Sequence, residues 1–298
     1  VNALNGNFTW GGSGDLTFGA GNITCNAGRT ISFLSGKTGT LKFPGNLTTA
    51  TANILSIGGS PGSSRSRLWL AGTNALTGAT GTVTAGYFRV SNAGGLGAVG
   101  TTTAWTVSSG AAIEVDGTAT MPSTKNATIT GPGPNTDGAL RSVSGTNVWS
   151  GAIIPPVQSL ASPTRIQVDA GSFTLGTSLY VSISPTVSGT PLQFTALGAT
   201  ATLTNPRQLT ANVSDVNVNN GGVGTVVFSV ANLHTGAMTC EGGTTRVTQA
   251  NATGSGAGND VVVKAASTLE STVQSIFAAK LSLGTNGSGS RAILKFAA

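Results

Sequence analysis

Charge is scarce in this chain. Only 8% of its 298 residues are Asp, Glu, Lys or Arg, against about 25% in an average domain. The formal charge of +6 comes from 15 basic residues set against nine acidic ones. The basic residues are dispersed, through Arg29, Lys37, Lys42, Arg65, Arg67, Arg89 and Lys125 to Lys295, and no run forms a stripe. A nucleic-acid surface needs clustered cations with aromatics between them for base stacking, and aromatics make up 5%. No nucleic-acid partner is expected, and these side chains read as solvated groups on strand edges. With one histidine, His234, any triad would have to use it, and no Gly-x-Ser-x-Gly elbow occurs; it reads as a surface or turn residue. Two cysteines, Cys25 and Cys240, are too few for a disulfide scaffold and lack metal-ligand spacing. They are too far apart for a bridge within one copy, whose cysteine Cα atoms must approach within about 7 Å, so two free buried thiols are expected, with a bridge across a junction between copies as the alternative. No run of 18 apolar residues exists, so no membrane-spanning helix is expected. The opening Val1-Asn-Ala-Leu has neither an initiator Met nor a signal-peptide core; a mature, exported protein is expected.

What is abundant is glycine, 44 residues, together with Thr, Asn and short β-branched runs. The stretch Leu68 to Gly97 shows the grammar best. Leu68-Trp-Leu70, Thr82-Val-Thr84 and Tyr87-Phe-Arg-Val90 alternate apolar and polar residues, which is the period of a half-buried strand. Gly and Asn between them tolerate the positive φ that tight turns need. The same grammar runs through Phe8-Thr-Trp10, Asp15–Phe18, Ile23-Thr-Cys25, Thr30–Phe33 and Thr40–Phe43. An all-β chain of stacked coils follows, growing as one unit rather than as separate domains. We assign 1–298 to a single solenoid domain: 1–60 as N-terminal rungs or a cap, 61–275 as the repeat body, and 276–298 as C-terminal strands. Leu68, Leu70, Val83, Phe88, Val90, Val107, Ile113, Val115, Ile166, Val168, Val227 and Val247 should point inward.

The pattern of Leu68, Leu70, Gly72, Asn74, Thr77, Gly78, Val83, Gly86, Val90, Ser91, Asn92, Leu96 and Gly97 resembles the autotransporter-associated β-strand repeat of bacterial surface and secreted proteins. Gly138–Ser144, Asn147–Ile153 and Arg165–Leu175 look like the segment between repeats in long members of that family. The resemblance implies a right-handed parallel β-solenoid placed outside the cell, and implies no particular activity. A second copy of the repeat aligns from Val226, with Gly236 on Gly78 and Arg246-Val247 on Arg89-Val90.

Elsewhere the signal is weaker. Residues 57–66 read as a loop bulging from a rung. Pro185, Pro191 and Pro206 mark turns in the less patterned 183–224. Leu269–Lys280 has spacing that suits strands better than a short helix. Leu281-Ser-Leu283 and Ala292–Phe296 read as a closing pair like the Ile31–Phe33 and Leu41–Phe43 hairpin.

Enzymatic chemistry finds little to work with. Asn135-Thr-Asp137-Gly138 is identical to the first motif of polygalacturonase-like glycosidases. Glycoside hydrolysis, however, needs a second carboxylate about 5–9 Å from the first, and that family's Asp-Asp, Gly-His-Gly and Arg-Ile-Lys motifs are missing. Asp137 therefore reads as a turn residue without a carboxylate in hydrolytic range. Glu114-Val-Asp116 alone puts two acids on one strand face, read as solvated. Gly254–Gly258 lacks the Lys and helix of a phosphate loop. Seven Asn-x-Ser/Thr sequons, from Asn7-Phe-Thr9 on, follow from the abundance of Asn and Thr. No catalytic, cofactor-binding or metal-binding residue and no cofactor are expected. The expected role is a structural subunit whose strand-like ends join copies head to tail. The alternative is an adhesin or surface carbohydrate-binding module, which should show Trp10, Trp69, Trp105 and Trp149 as an exposed ladder.

Overall fold

The computed structural model describes residues 2–49, 55–59, 65–76, 80–156, 162–176, 183, 185, 188–254, 259–273, 280–284 and 291–296. It is an all-β parallel solenoid, and among the described residues the one helical element is a 3-10 turn at Pro134–Thr136. The chain divides into two compact units, Val1–Ala152 and Ile153–Ala298.

In the first unit one sheet stacks Phe8–Trp10, Arg29–Phe33, Leu55–Gly59, Thr80–Val83, Thr103–Val107 and Lys125–Ile129. A second stacks Leu16–Thr17, Thr40–Phe43, Arg67–Leu70, Gly86–Val90, Ala111–Val115 and Leu140–Ser142. A third face holds Asn2–Leu4, Ile23–Cys25 and Leu47–Thr49, and further on Thr120–Met121 with Thr146–Trp149. Every pairing is parallel and joins residues one coil apart, as in Val83 to Val107 and Leu70 to Val90. The second unit repeats the plan with Thr164–Val168, Thr190–Ala196, Val213–Val218, Met238–Cys240, Val261–Val263 and Leu281–Leu283 in one sheet. Its other sheet holds Ser172–Leu175, Thr202–Asn205, Thr225–Phe228, Thr244–Val247, Thr268–Ser271 and Ile293–Phe296.

Strand alternation creates the core. Leu68, Leu70, Val83, Phe88, Val90, Val107, Ile113, Val115, Ile166, Val168 and Val247 are all buried, each such side chain stabilising by about 1.5–3 kcal/mol relative to exposure. Val227 is the exception: Val226 and Phe228 point inward, and Val227 faces out beside Arg246. Phe228 pairs with Val247 as Leu70 pairs with Val90, so the second copy is one residue shorter than the first. A slip of one exchanges the two faces of a strand, and it brings Cys240 to the inward place that Val83 holds. Thr77 and Gly78 lie outside the described residues, as do most of the 57–66 loop tip, most of Gly254–Gly258 and the middle of Leu269–Lys280.

Asparagines tie the turns together from coil to coil. Asn22 accepts from the Asn46 amide, Asn46 from Thr73 and Asn74 from Leu47. Asn147, Asn219 and Asn232 are buried and do the same for Ala119, Ala196 and Leu209. Sequon residues Asn7, Asn22, Asn46 and Asn126 are among these acceptors, so at these sites the motif reflects turn geometry. Gly86 and Gly97 of the repeat take φ of 66° and 118°, values glycine tolerates and other residues resist.

Two expectations about the strands are corrected. Pro191 is not in a turn: it is the second residue of Thr190–Ala196, where the register shifts between Thr190 and Leu192. An irregularity there accommodates the amide that proline lacks. Leu281–Leu283 and Ile293–Phe296 do not form a hairpin, since each pairs with a strand one coil earlier, Val261–Val263 and Thr268–Ser271. Arg29–Phe33 and Thr40–Phe43 likewise belong to different sheets. Cys25 and Cys240 are free and buried in the core. Burial pushes both thiols up, Cys240 to about 11, with the charge of Arg29 opposing the rise at Cys25. A bridge across a junction would require either side chain to leave the core.

Candidate functional site

The outer face of the second sheet of the first unit gathers the polar side chains that the sequence scatters. Parallel register aligns Lys42, Trp69, Arg89, Glu114 and Arg141 in one column, one residue from each successive rung. Arg67 and Tyr87 align in a neighbouring column. The turn Pro134–Thr136, followed by Asp137, closes over Tyr87, whose hydroxyl donates to Asp137 Oδ2 at 2.7 Å.

Glu114 is the hub. It is fully buried and accepts from Arg67, from Arg89 Nε at 2.7 Å and from Arg141 Nη1 at 3.0 Å. Burial alone would raise its pKa, but the hydrogen bonds and charges of Arg67 and Arg89 outweigh that and hold it below the usual carboxylate range. Arg89 also reaches Asp116 Oδ2 at 3.0 Å, and Asp116 accepts from Ser144. The two acids on the Ala111–Val115 face are therefore paired, and Glu114 is not solvated as the sequence reading expected.

Asp137 is corrected in the same way. Arg141 Nη1 lies 2.9 Å from Asp137 Oδ2 and 3.0 Å from Glu114 Oε1, so the two carboxylate oxygens are within about 6 Å of each other. Burial raises the pKa of Asp137, with Arg141 and the Tyr87 hydrogen bond opposing. Burial also raises that of Tyr87, helped by Asp137. A second carboxylate thus lies near Asp137, contrary to the sequence reading, yet Glu114 is sealed beneath three guanidinium groups.

The aromatic rings are occupied too. Lys42 Nζ sits 3.6 Å from the Trp69 ring centroid and Arg89 5.3 Å from it. Tyr87 is contacted by Arg67 at 5.0 Å and by Arg141 at 5.7 Å. Trp105 and Trp149 are buried, so the four tryptophans do not line up as an exposed ladder. In the second unit His234 is buried rather than at the surface, with neither ring nitrogen paired among the described residues, and burial lowers its pKa to about 4. No group of three or more His, Cys, Asp or Glu among the described residues is placed to hold a metal ion.

The sequence reading missed this network because, apart from Asp137 and Arg141, its members on successive rungs stand 20 to 27 residues apart. They become neighbours only once the coil length is known, and that spacing is the signal that would have found them. No family model matches the chain, and no curated protein or solved structure matches it.

Proposed function

We propose that this chain is a non-enzymatic structural subunit of an extracellular bacterial filament or surface fibre, joined head to tail through its end rungs. The observation that carries this reading is where the large apolar side chains stay exposed. Six of the ten large apolar side chains exposed among the described residues lie toward the two ends, Leu16, Phe18 and Leu34 on the first two rungs and Leu283, Ile293 and Phe296 on the last described rung, while Val99, Leu197, Val223 and Leu233 are scattered singly between them. At the first rung Leu4, Phe8, Phe18, Ile23 and Phe43 also line a cavity of about 470 Å³. Strand edges with free N–H and C=O groups template further pairing unless charge, proline or a cover blocks them. A heterologous contact of one end with the other extends without limit when its rotation does not close. The repeat resemblance supports an exported location.

The alternative, an adhesin or surface carbohydrate-binding module, is weakened by the covered and buried tryptophans. Electron microscopy of the purified chain tests the proposal. Fibres are expected, and Ile293→Lys and Phe296→Lys should abolish them without lowering the melting temperature, since both side chains are exposed. Variants that polymerise like the parent, or a parent that stays monomeric, would overturn it. Release of reducing sugars from polygalacturonate would overturn the non-enzymatic part.

A further inference from the structure

We infer that Tyr87 and Arg141 form a carboxylate-binding site which the Asp137 side chain occupies from within, and which an external carboxylate fills when the turn over it lifts. This inference is independent of the filament reading.

The donors are prepared for an anion. The Tyr87 hydroxyl and Arg141 Nη1 converge on a single oxygen, Asp137 Oδ2, at 2.7 and 2.9 Å. Tyr87 is itself buried and backed by Arg67. Without Asp137, Arg67, Arg89 and Arg141 stand against Glu114 and Asp116, three positive charges to two negative, which leaves an excess of positive charge at the vacated place. Charge-assisted bonds from a guanidinium to a planar carboxylate are strongest when both oxygens take part.

The internal occupant uses only half of that capacity. Asp137 Oδ1 is buried and has no hydrogen-bond partner among the described residues, because the turn tethers the carboxylate in one orientation. The turn also stores strain. Asn135 and Thr136 take φ of 54° and 61° in succession, and a β-branched residue at positive φ is a real outlier. A Cβ at Gly133, φ 83°, would collide with the backbone of Gly138, so only glycine closes the loop. Three of the turn's backbone bonds, from Thr136, Asp137 and Gly138 to Gly133, Pro132 or Pro134, are internal to it. Side chains hold it down: Tyr87 and Arg141 through Asp137, and Arg65 Nη2 through Asn135 Oδ1 at 2.6 Å. A free carboxylate can satisfy both donors while the turn relaxes, as a tethered one cannot.

The test is chemical rescue. In Asp137→Ala, saturating acetate should raise the melting temperature by about 2–4 °C over chloride at equal ionic strength, and the added change Arg141→Gln should remove the rise. Equal melting in the two salts would overturn the inference. Should Asp137→Ala not fold in either salt, Asp137→Asn is titrated with ¹³C-acetate, where saturable binding weakened about tenfold by Tyr87→Phe is expected and no binding overturns it. In the unaltered chain, saturating D-galacturonate should speed amide exchange at Thr136, Asp137 and Gly138, whose backbone N–H groups close the turn. Unchanged exchange would make Asp137 a permanent latch and contradict the displacement.

Discussion

The charged rungs of the two units follow one local rule and reach different outcomes. In the second unit Arg246 pairs with Glu270 and Lys264 with Glu241, each across one coil, and the cations remain 41% and 50% exposed. In the first unit Glu114 is met by arginines from three rungs and has no exposure at all. Register alone brings opposite charges together in both. The difference lies in what encloses them: three guanidinium groups surround Glu114, with the rings of Tyr87 and Trp69 against those guanidinium groups, whereas Arg246 and Glu270 both stay partly exposed. Exposed pairs gain little because water and salt screen them. A buried carboxylate, by contrast, depends on every partner it has.

That contrast can be broken at its strongest point first. Glu114→Gln removes the buried anion that three guanidinium groups share, leaving Arg89 and Arg141 with Asp116 and Asp137 alone, and should destabilise the first unit by about 3–5 kcal/mol in denaturant unfolding; a loss below about 1 kcal/mol would mean the hub is not buried. The next effect is read with pH. The folded pKa of His234, about 4, lies below its unfolded value of 6.5, so the unfolded chain takes up the proton first. Its contribution is therefore full above pH 6.5 and is lost as pH falls toward 4, by about 3 kcal/mol in all. As pH falls across that window, the unfolding midpoint of the parent should drop relative to that of His234→Met, which has no such proton to take up.

Smaller effects sharpen the comparison. Asn147 accepts from Ala119 and donates to Ser142 and Ser144, so Asn147→Ala orphans buried groups at about 1–3 kcal/mol, measured as a drop in unfolding midpoint. Arg246→Ala, at an exposed pair, should change stability by less than about 1 kcal/mol. Were Arg246→Ala to match Glu114→Gln, burial would not be what separates the two units.

Alternation and glycine punctuation revealed the class of fold, because Leu68, Val83 and Val107 announce their faces by period alone. Thr190–Ala196 escaped that reading. All seven of its residues are buried, so it has no alternation to see, and its proline argued for a turn. Val227 was misplaced because Val226, Val227 and Phe228 are apolar in succession, and such a run has no alternation to say which members face inward. The Glu114 network was hidden for a different reason. A charge pair is legible when its members are three or four residues apart, whereas Arg67, Arg89, Glu114 and Arg141 meet only through coil geometry. Asp137 was visible as a motif, but its partner carboxylate stands on another rung.

Fibre diffraction from aligned filaments of the chain tests most directly whether copies extend the rung stack. Head-to-tail joining places the inter-strand repeat along the fibre, so a reflection at about 4.7–4.9 Å should lie on the meridian. A reflection at that spacing on the equator, or a chain that forms no filaments at any concentration, would contradict the account.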